Sequence, residues 1–330
     1  MKKVLSLALV AVMALSLFAF TSCGEEPDPT PTTLKFGAGV VYSISDVANA
    51  TAEKKGAATI GTTAAVVLLD DAGKIVKCAI DSLEVEAAWD NAGAVDAIGE
   101  NALKTKYEKG DSYGMVAWGG ATKEWYQQID ALIATITGKT MDEVKAMVVN
   151  GKGNDDIINA GCTIYVTDFV AALEKACANA AASNATADAT VKLGFAATPE
   201  IEAATADKNA SIGLDTTVVA TAIEGGKVVA AKTDCTQASI GVSATGECAS
   251  QEIASKYEKG ADYGMVAWGG AAKEWFEQAN AFSAQLIGKN ATEIASLVAS
   301  NGKGNDAVVS AGCTIYVTDL VKAAIKAATV

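Results

Sequence analysis

Histidine and arginine are both missing from the 330 residues. Without histidine there is no Ser-His-Asp triad, no histidine zinc site and no ordinary neutral-pH proton shuttle. Lysine supplies all 26 basic side chains against 39 acidic ones, a formal net charge of −13. Phosphate neutralisation needs clustered cations, so this balance argues against nucleic acid as a partner. Proline is scarce: three of the four lie between residues 27 and 31. The seven cysteines form no CxxC pair, which removes the usual metal cages and thioredoxin-type motifs. Cys78, Cys162, Cys177, Cys235, Cys248 and Cys313 read instead as small buried hydrophobes, with no disulfide expected. What is present is ordinary for a folded protein, 50% hydrophobic and 20% charged, and excludes disorder over most of the length.

The longest apolar run is Val4 to Phe20, preceded by Met1-Lys2-Lys3 and followed by Thr21-Ser22-Cys23-Gly24. A cationic start, a run of this length and small residues after it make a secretory signal rather than a spanning helix. The layout resembles the bacterial lipoprotein signal. That resemblance implies removal of residues 1–22, acylation of Cys23 and a location on the extracytoplasmic face of the cell membrane, held by the lipid anchor. Residues 23–33, acidic and rich in Pro and Thr, then read as an extended tether.

The remainder contains one pattern twice. Lys106-Tyr107-Glu108-Lys109-Gly110 runs through Tyr113-Gly114-Met115-Val116-Ala117-Trp118-Gly119-Gly120 to Lys123-Glu124-Trp125, and Lys256 to Trp275 repeats it almost letter for letter. A second block, Asn150 to Asp155 and Ala160 to Asp168, returns as Asn301 to Asp306 and Ala311 to Asp319. A period near 150 residues indicates tandem domains rather than a solenoid, whose repeats are about 20–50 residues. The expected organisation is two homologous domains, 34–180 and 191–330, joined by an Ala-rich linker at 181–190.

Each domain is expected to open with a β-hairpin. Ala64–Leu69 and Lys74–Ile80 flank Asp70-Asp71-Ala72-Gly73, and Val218–Ile223 and Lys227–Val229 flank Glu224-Gly225-Gly226. The following 25 or so residues show little periodicity and read as loop with some strand. Trp125, Ile129, Leu132, Ile133 and Ile136 then share one helical face, as do Trp275, Phe282 and Leu286. Gly138 and Gly288 stand where these helices should stop. Thr140-x-x-Glu143 and Asn290-x-x-Glu293 are capping boxes for a next helix. Cys162–Thr167 alternates like a strand, and a last helix begins at Asp168, capped by it or by Thr167. Hairpin first and helices later, without βαβ alternation, gives an α+β class: an antiparallel sheet and several packed helices in each domain.

Ala160-Gly161-Cys162-Thr163 and Ala311-Gly312-Cys313-Thr314, with the apolar stretches Val170-Ala-Ala-Leu173 and Val321-Lys-Ala-Ala downstream, resemble the motif of the FMN-binding domain family. The Asp-Ala-Gly-Lys-Ile-Val hairpin is similar to that family's opening strands. The family is found in flavinylated lipoproteins and in flavin subunits of membrane oxidoreductases, where a threonine hydroxyl is esterified to the FMN phosphate. The resemblance implies an electron-transfer role, covalent FMN at Thr163 and Thr314, close approach of the cofactor at Gly161 and Gly312, stacking on Trp118 and Trp268, a flavin transferase and a redox partner. Glycine permits such an approach, and a helix start favours a phosphate.

Two other readings stand beside this one. The Trp-Gly-Gly block is either a ligand-facing loop or, the preferred reading, a tight turn with Trp118 and Trp125 as core anchors. Asn-Gly-Lys-Gly-Asn-Asp lacks the P-loop spacing and reads as a solvated connector, with Lys152 and Lys303 in a position to offer a cation to a nearby phosphate. The alternative function, from a different class, is a non-catalytic envelope lipoprotein that binds a small ligand or a protein partner. A hydrolase would need a base other than histidine for its nucleophile, and no candidate stands out in the sequence.

Overall fold

A computed structural model describes residues 32–205, 208–250 and 254–329. The expected signal, Cys23 and nearly all of the tether lie outside the described residues. Residues 32–330 form one compact unit.

Each half begins with three long antiparallel strands: β1 (Lys35–Ala48), β2 (Gly56–Leu69) and β3 (Ile75–Trp89), and later β7 (Thr190–Glu202), β8 (Ala210–Glu224) and β9 (Lys227–Val242). The hairpins at Asp70–Gly73 and Glu224–Gly226 are where the sequence puts them, but the strands run much further. β1 and β7 are additional to the expected pair, and β3 takes in the start of the stretch read as loop. Two short strands, β6 (Ala181–Ala182) and β10 (Cys248–Ser250), complete sheets of order β3-β2-β1-β6 and β10-β9-β8-β7. A small ribbon, β4 (Val148–Val149) with β5 (Lys152–Gly153), stands apart.

Ten α-helices carry the remainder of the described chain. In the first half they are α1 (Lys106–Lys109), α2 (Trp125–Ile136), α3 (Met141–Ala146), α4 (Asp155–Ala160) and α5 (Thr167–Ala178). In the second they are α6 (Lys256–Lys259), α7 (Trp275–Leu286), α8 (Ala291–Ala295), α9 (Asp306–Ser310) and α10 (Thr318–Ala328). The expected capping boxes form at Thr140/Glu143 and Asn290/Glu293. Neither Thr167 nor Asp168 caps α5; its N-cap is Val166, with no side-chain hydrogen bond.

The strand faces explain the layering. On β2, Ala65, Val67 and Leu69 pack with Trp125, Ile129, Leu132 and Leu173 from the helices of the same half. The alternate residues Ala64, Val66 and Leu68 turn toward the other half. There the two sheets meet: Val40, Ile60, Leu83 and Val85 share a core with Phe195, Ile212, Leu214 and Ile240. Strand period 2 therefore gives a four-layer order of helices, sheet, sheet, helices. Each large apolar side chain so buried contributes about 1.5–3 kcal/mol.

The expected linker is part of this packing. Ala181–Ala182 pairs with Lys35–Phe36, Leu34 N donates to Ala185 O at 2.7 Å, and Ala185 and Ala189 are fully buried. Two ion pairs also cross between halves in reciprocal fashion, Lys175 with Glu258 and Lys326 with Glu108.

Candidate functional site

The segment expected to be a strand at Cys162–Thr167 is not one. Cys162 N donates back to Ile157 O at 3.1 Å, and Val166 N to Gly151 O at 2.8 Å. Between these anchors the chain is irregular, with one bridge from Tyr165 to Lys152. The cause is local: Gly161 ends α4 at φ +109°, in the left-handed region, and turns the chain out of any ladder. Thr163 is exposed as a result. Gly312 does the same at φ +101°, and Thr314 is equally exposed.

One buried side chain holds each threonine. Thr163 donates to Gln128 Oε1 through both its backbone N (2.9 Å) and its Oγ1 (3.1 Å). Gln128 is itself fixed by donating from Nε2 to Lys123 O at 3.1 Å. The second half reproduces this: Thr314 N and Oγ1 donate to Gln278 Oε1 at 2.8 and 3.1 Å, and Gln278 Nε2 to Lys273 O at 3.0 Å. A lysine lies beside the glycine of each segment. Lys123 Nζ lies against Gly161, where any Cβ would collide with it, and donates to Ala160 O at 3.0 Å. Lys273 lies against Gly312 in the same way. A second lysine packs on the neighbouring tyrosine: Lys152 Nζ is 5.1 Å from the centre of the Tyr165 ring, and Lys303 Nζ is 4.1 Å from Tyr316 and 2.9 Å from Thr314 O. Tyr165 and Tyr316 are 69% and 68% exposed. Burial pushes the Cys313 thiol up to about 11 and raises Cys162 as well, so both stay neutral.

The Trp-Gly-Gly block corrects its preferred reading in one respect. Trp125 is a core anchor at 2% exposure, but Trp118 is 88% exposed and Trp268 89%. The loop is nevertheless fixed. The buried carboxylate of Glu124 accepts from Met115 N (2.9 Å) and Val116 N (3.0 Å), and Glu274 does so from Met265 N and Val266 N. Trp118 N donates to Gly114 O at 2.8 Å, and its ring lies where a Cβ on Gly114 would stand.

The block and the threonine segment border one cavity of about 440 Å³, lined among others by Tyr113, Met115, Trp125, Ile164 and Tyr165. Inside it the nearly buried Lys106 pairs with Glu84 at 2.7 Å and sits 5.1 Å from Tyr113 and 5.5 Å from Trp125. Aromatic faces attract a desolvated ammonium. Lys256 has the same neighbours in Tyr263 and Trp275.

Thus Gly161 and Thr163 adjoin, as do Gly312 and Thr314, while the two tryptophans stand on their own exposed loops. Gln128, Lys123, Lys106 and Glu124 were not anticipated. The internal repeat marks them all, since Gln278, Lys273, Lys256 and Glu274 take their places.

No protein-family model matches the chain, and no solved structure matches it. Chlorophenol reductase from Desulfitobacterium hafniense is 34% identical over 129 residues, which is 36% of this chain and 38% of that protein. The chain thus spans well under half the length of this relative.

Proposed function

We propose that the chain is an extracytoplasmic electron-transfer protein, lipid-anchored at Cys23, that carries FMN esterified to Thr163 and Thr314. The observation that carries this reading is the twice-built presentation of an exposed threonine, its hydroxyl held by a buried glutamine, beside a glycine against which a lysine lies. These residues suit the group. Lys123 and Lys152, or Lys273 and Lys303, can meet the charge of a phosphodiester through charge-assisted hydrogen bonds. Gly161 and Gly312 leave room for Lys123 and Lys273 to lie against the backbone beside each threonine. Tyr165, Trp118 and their counterparts offer faces for a flat ring. Gln128 Oε1 retains its bond from Thr163 N when the hydroxyl is substituted, so esterification leaves the segment held in place.

FMN, when bound, supplies the capacity to take up and release electrons. The chain's own residues bind and orient: the glutamine fixes the acceptor threonine, the lysines hold the phosphate, and the glutamate-clamped loop keeps its tryptophan outward. The likeness to a protein named as a reductase supports a redox role, and the missing histidine fits a carrier better than an acid–base enzyme. A flavin transferase and an envelope redox partner are the implied partners.

Thr163→Val and Thr314→Val test this directly. In protein produced alongside a flavin transferase, each variant is expected to lose about half of the flavin absorbance, by one-site-per-threonine stoichiometry. The double variant should be colourless with an unchanged melting transition. Flavin absorbance that survives in the double variant, or that is absent from the parent protein, would overturn the assignment.

A further inference from the structure

A second cavity, about 730 Å³, lies where the two halves meet, away from both threonines. Its walls are apolar: Ile80 from β3, Ile133 from α2, and Val191, Leu193 and Phe195 from β7. Its polar floor is Asp81, which is 8% exposed and accepts from Ser82 N at 2.7 Å and Tyr107 N at 3.3 Å. Beside it the Tyr107 hydroxyl donates to Asp130. The remaining charged groups are Glu108, paired with Lys326 at 2.6 Å, and Lys192, which donates to Thr329 O at 2.6 Å.

The other half shows this cavity divided by a side chain. Ile75 N donates to Lys139 O and Val228 N to Lys289 O, so these residues are equivalent. Four residues on stand Ala79 and Lys232, and six on stand Asp81 and Asp234. Lys232 lays its ammonium 4.6 Å from the Tyr257 ring. The space over Asp234 is then a slit of about 20 Å³, cut off from an outer groove of about 530 Å³ beside Lys232, Tyr257 and Asn280. Ala79 leaves the corresponding space open.

We infer that the cavity over Asp81 is a binding site for a small neutral ring compound bearing a hydroxyl group. Its size lies within the range of small-molecule pockets, about 300–1,000 Å³. Its rim charges cancel, two carboxylates (Glu108, Asp130) against two ammonium groups (Lys192, Lys326), and the carboxyl of Asp81 on the floor disfavours an anion. The apolar walls favour a ring. A carboxyl group has roughly four lone-pair sites. Ser82 N and Tyr107 N both donate to Oδ1 of Asp81, and Oδ2 is left to bond a ligand hydroxyl, as donor when the carboxyl is protonated and as acceptor when it is not. The raised pKa of this carboxyl, about 7, reflects the same desolvation by burial. The site goes beyond the flavin reading and shares none of its threonines, lysines or tryptophans.

Calorimetric titration of the mature chain with 2-naphthol tests the inference, with 2-naphthoate as the anionic comparison. One saturable site is expected, and 2-naphthoate should bind at least about tenfold more weakly, a difference near 1.4 kcal/mol. Ala79→Lys, which copies the other half, should abolish binding, and Lys232→Ala should create a second site. The second variant decides the matter on its own if the first does not fold. Absence of saturable binding, unchanged binding in folded Ala79→Lys, or a single site in Lys232→Ala would each overturn the assignment.

Discussion

Gly194→Val is expected to lower the unfolding free energy by about 3 kcal/mol, at the upper end for overpacking a closed core. A Cβ at Gly194 overlaps the carbonyl oxygen of Ala323 and lies 2.6 Å from Ala327 N. Both obstacles are backbone atoms of α10 and cannot rotate aside. The helix answers the glycine with alanines, and Ala323, Ala324 and Ala327 are fully buried against the sheet. Gly39 repeats the device in the first half, where a Cβ lies 2.5 Å from Ala176 N and overlaps Ala172 O. Gly39→Val should therefore be as damaging. Gly99→Ala is the control: nothing stands within 4 Å of its Cβ position and its φ is −79°. Denaturant midpoints for the three variants give the comparison. A Gly194→Val chain within about 0.5 kcal/mol of the parent, the usual range for surface changes, would mean that α10 does not lie on β7 as described.

The second large effect is one of pH. Burial pushes the carboxyl of Asp81 up to about 7 and that of Asp234 up to about 6, against the hydrogen bonds each accepts. In the unfolded chain both groups release their protons near pH 4. Between pH 4 and each folded value, the native state holds a proton that the unfolded state has lost. Stability therefore falls as pH rises through that window and levels off above it. At about 1.4 kcal/mol per unit, the loss by pH 8 reaches up to about 4 kcal/mol from Asp81 and about 3 kcal/mol from Asp234. Asp90, Glu143 and Glu293 move the opposite way through backbone N–H groups that donate to them, and all three are on the surface. Asp81→Asn isolates the buried group. It should unfold at a higher denaturant concentration than the parent at pH 8 and lose that advantage at pH 4.5. Parallel pH profiles for the two proteins would remove the buried carboxyl as the cause.

The sequence was readable where local rules decide the structure. The capping boxes, the face of α2 and the two hairpin turns follow from spacing and side-chain chemistry alone. The long strands did not show, because β2 is buried on both faces and its alternation disappears into Val66-Val-Leu-Leu69. β1 was hidden by Gly37 and Gly39, poor strand formers whose purpose is to admit a helix from far along the chain. The linker reading rested on composition, and Ala185 and Ala189 are small because they are packed. Trp118 and Trp125 carry the same signal in sequence, yet the turn at Gly114 sends one outward and the helix sends the other inward. Similarly, the alternation of Cys162–Thr167 suggested a strand, but Gly161 governs the backbone and frees the threonine. The candidate cofactor residues were legible through the motif. Their support, Gln128, Lys123 and the buried Lys106, became visible only once α2 and the cavity were placed.

Intact mass of the chain extracted from membranes of cells that possess a flavin transferase tests the central claim most directly. The expected mass is that of the acylated chain beginning at Cys23 with two FMN groups attached, and digestion should place them on the peptides containing Thr163 and Thr314. A mass equal to the acylated chain alone would contradict the redox assignment.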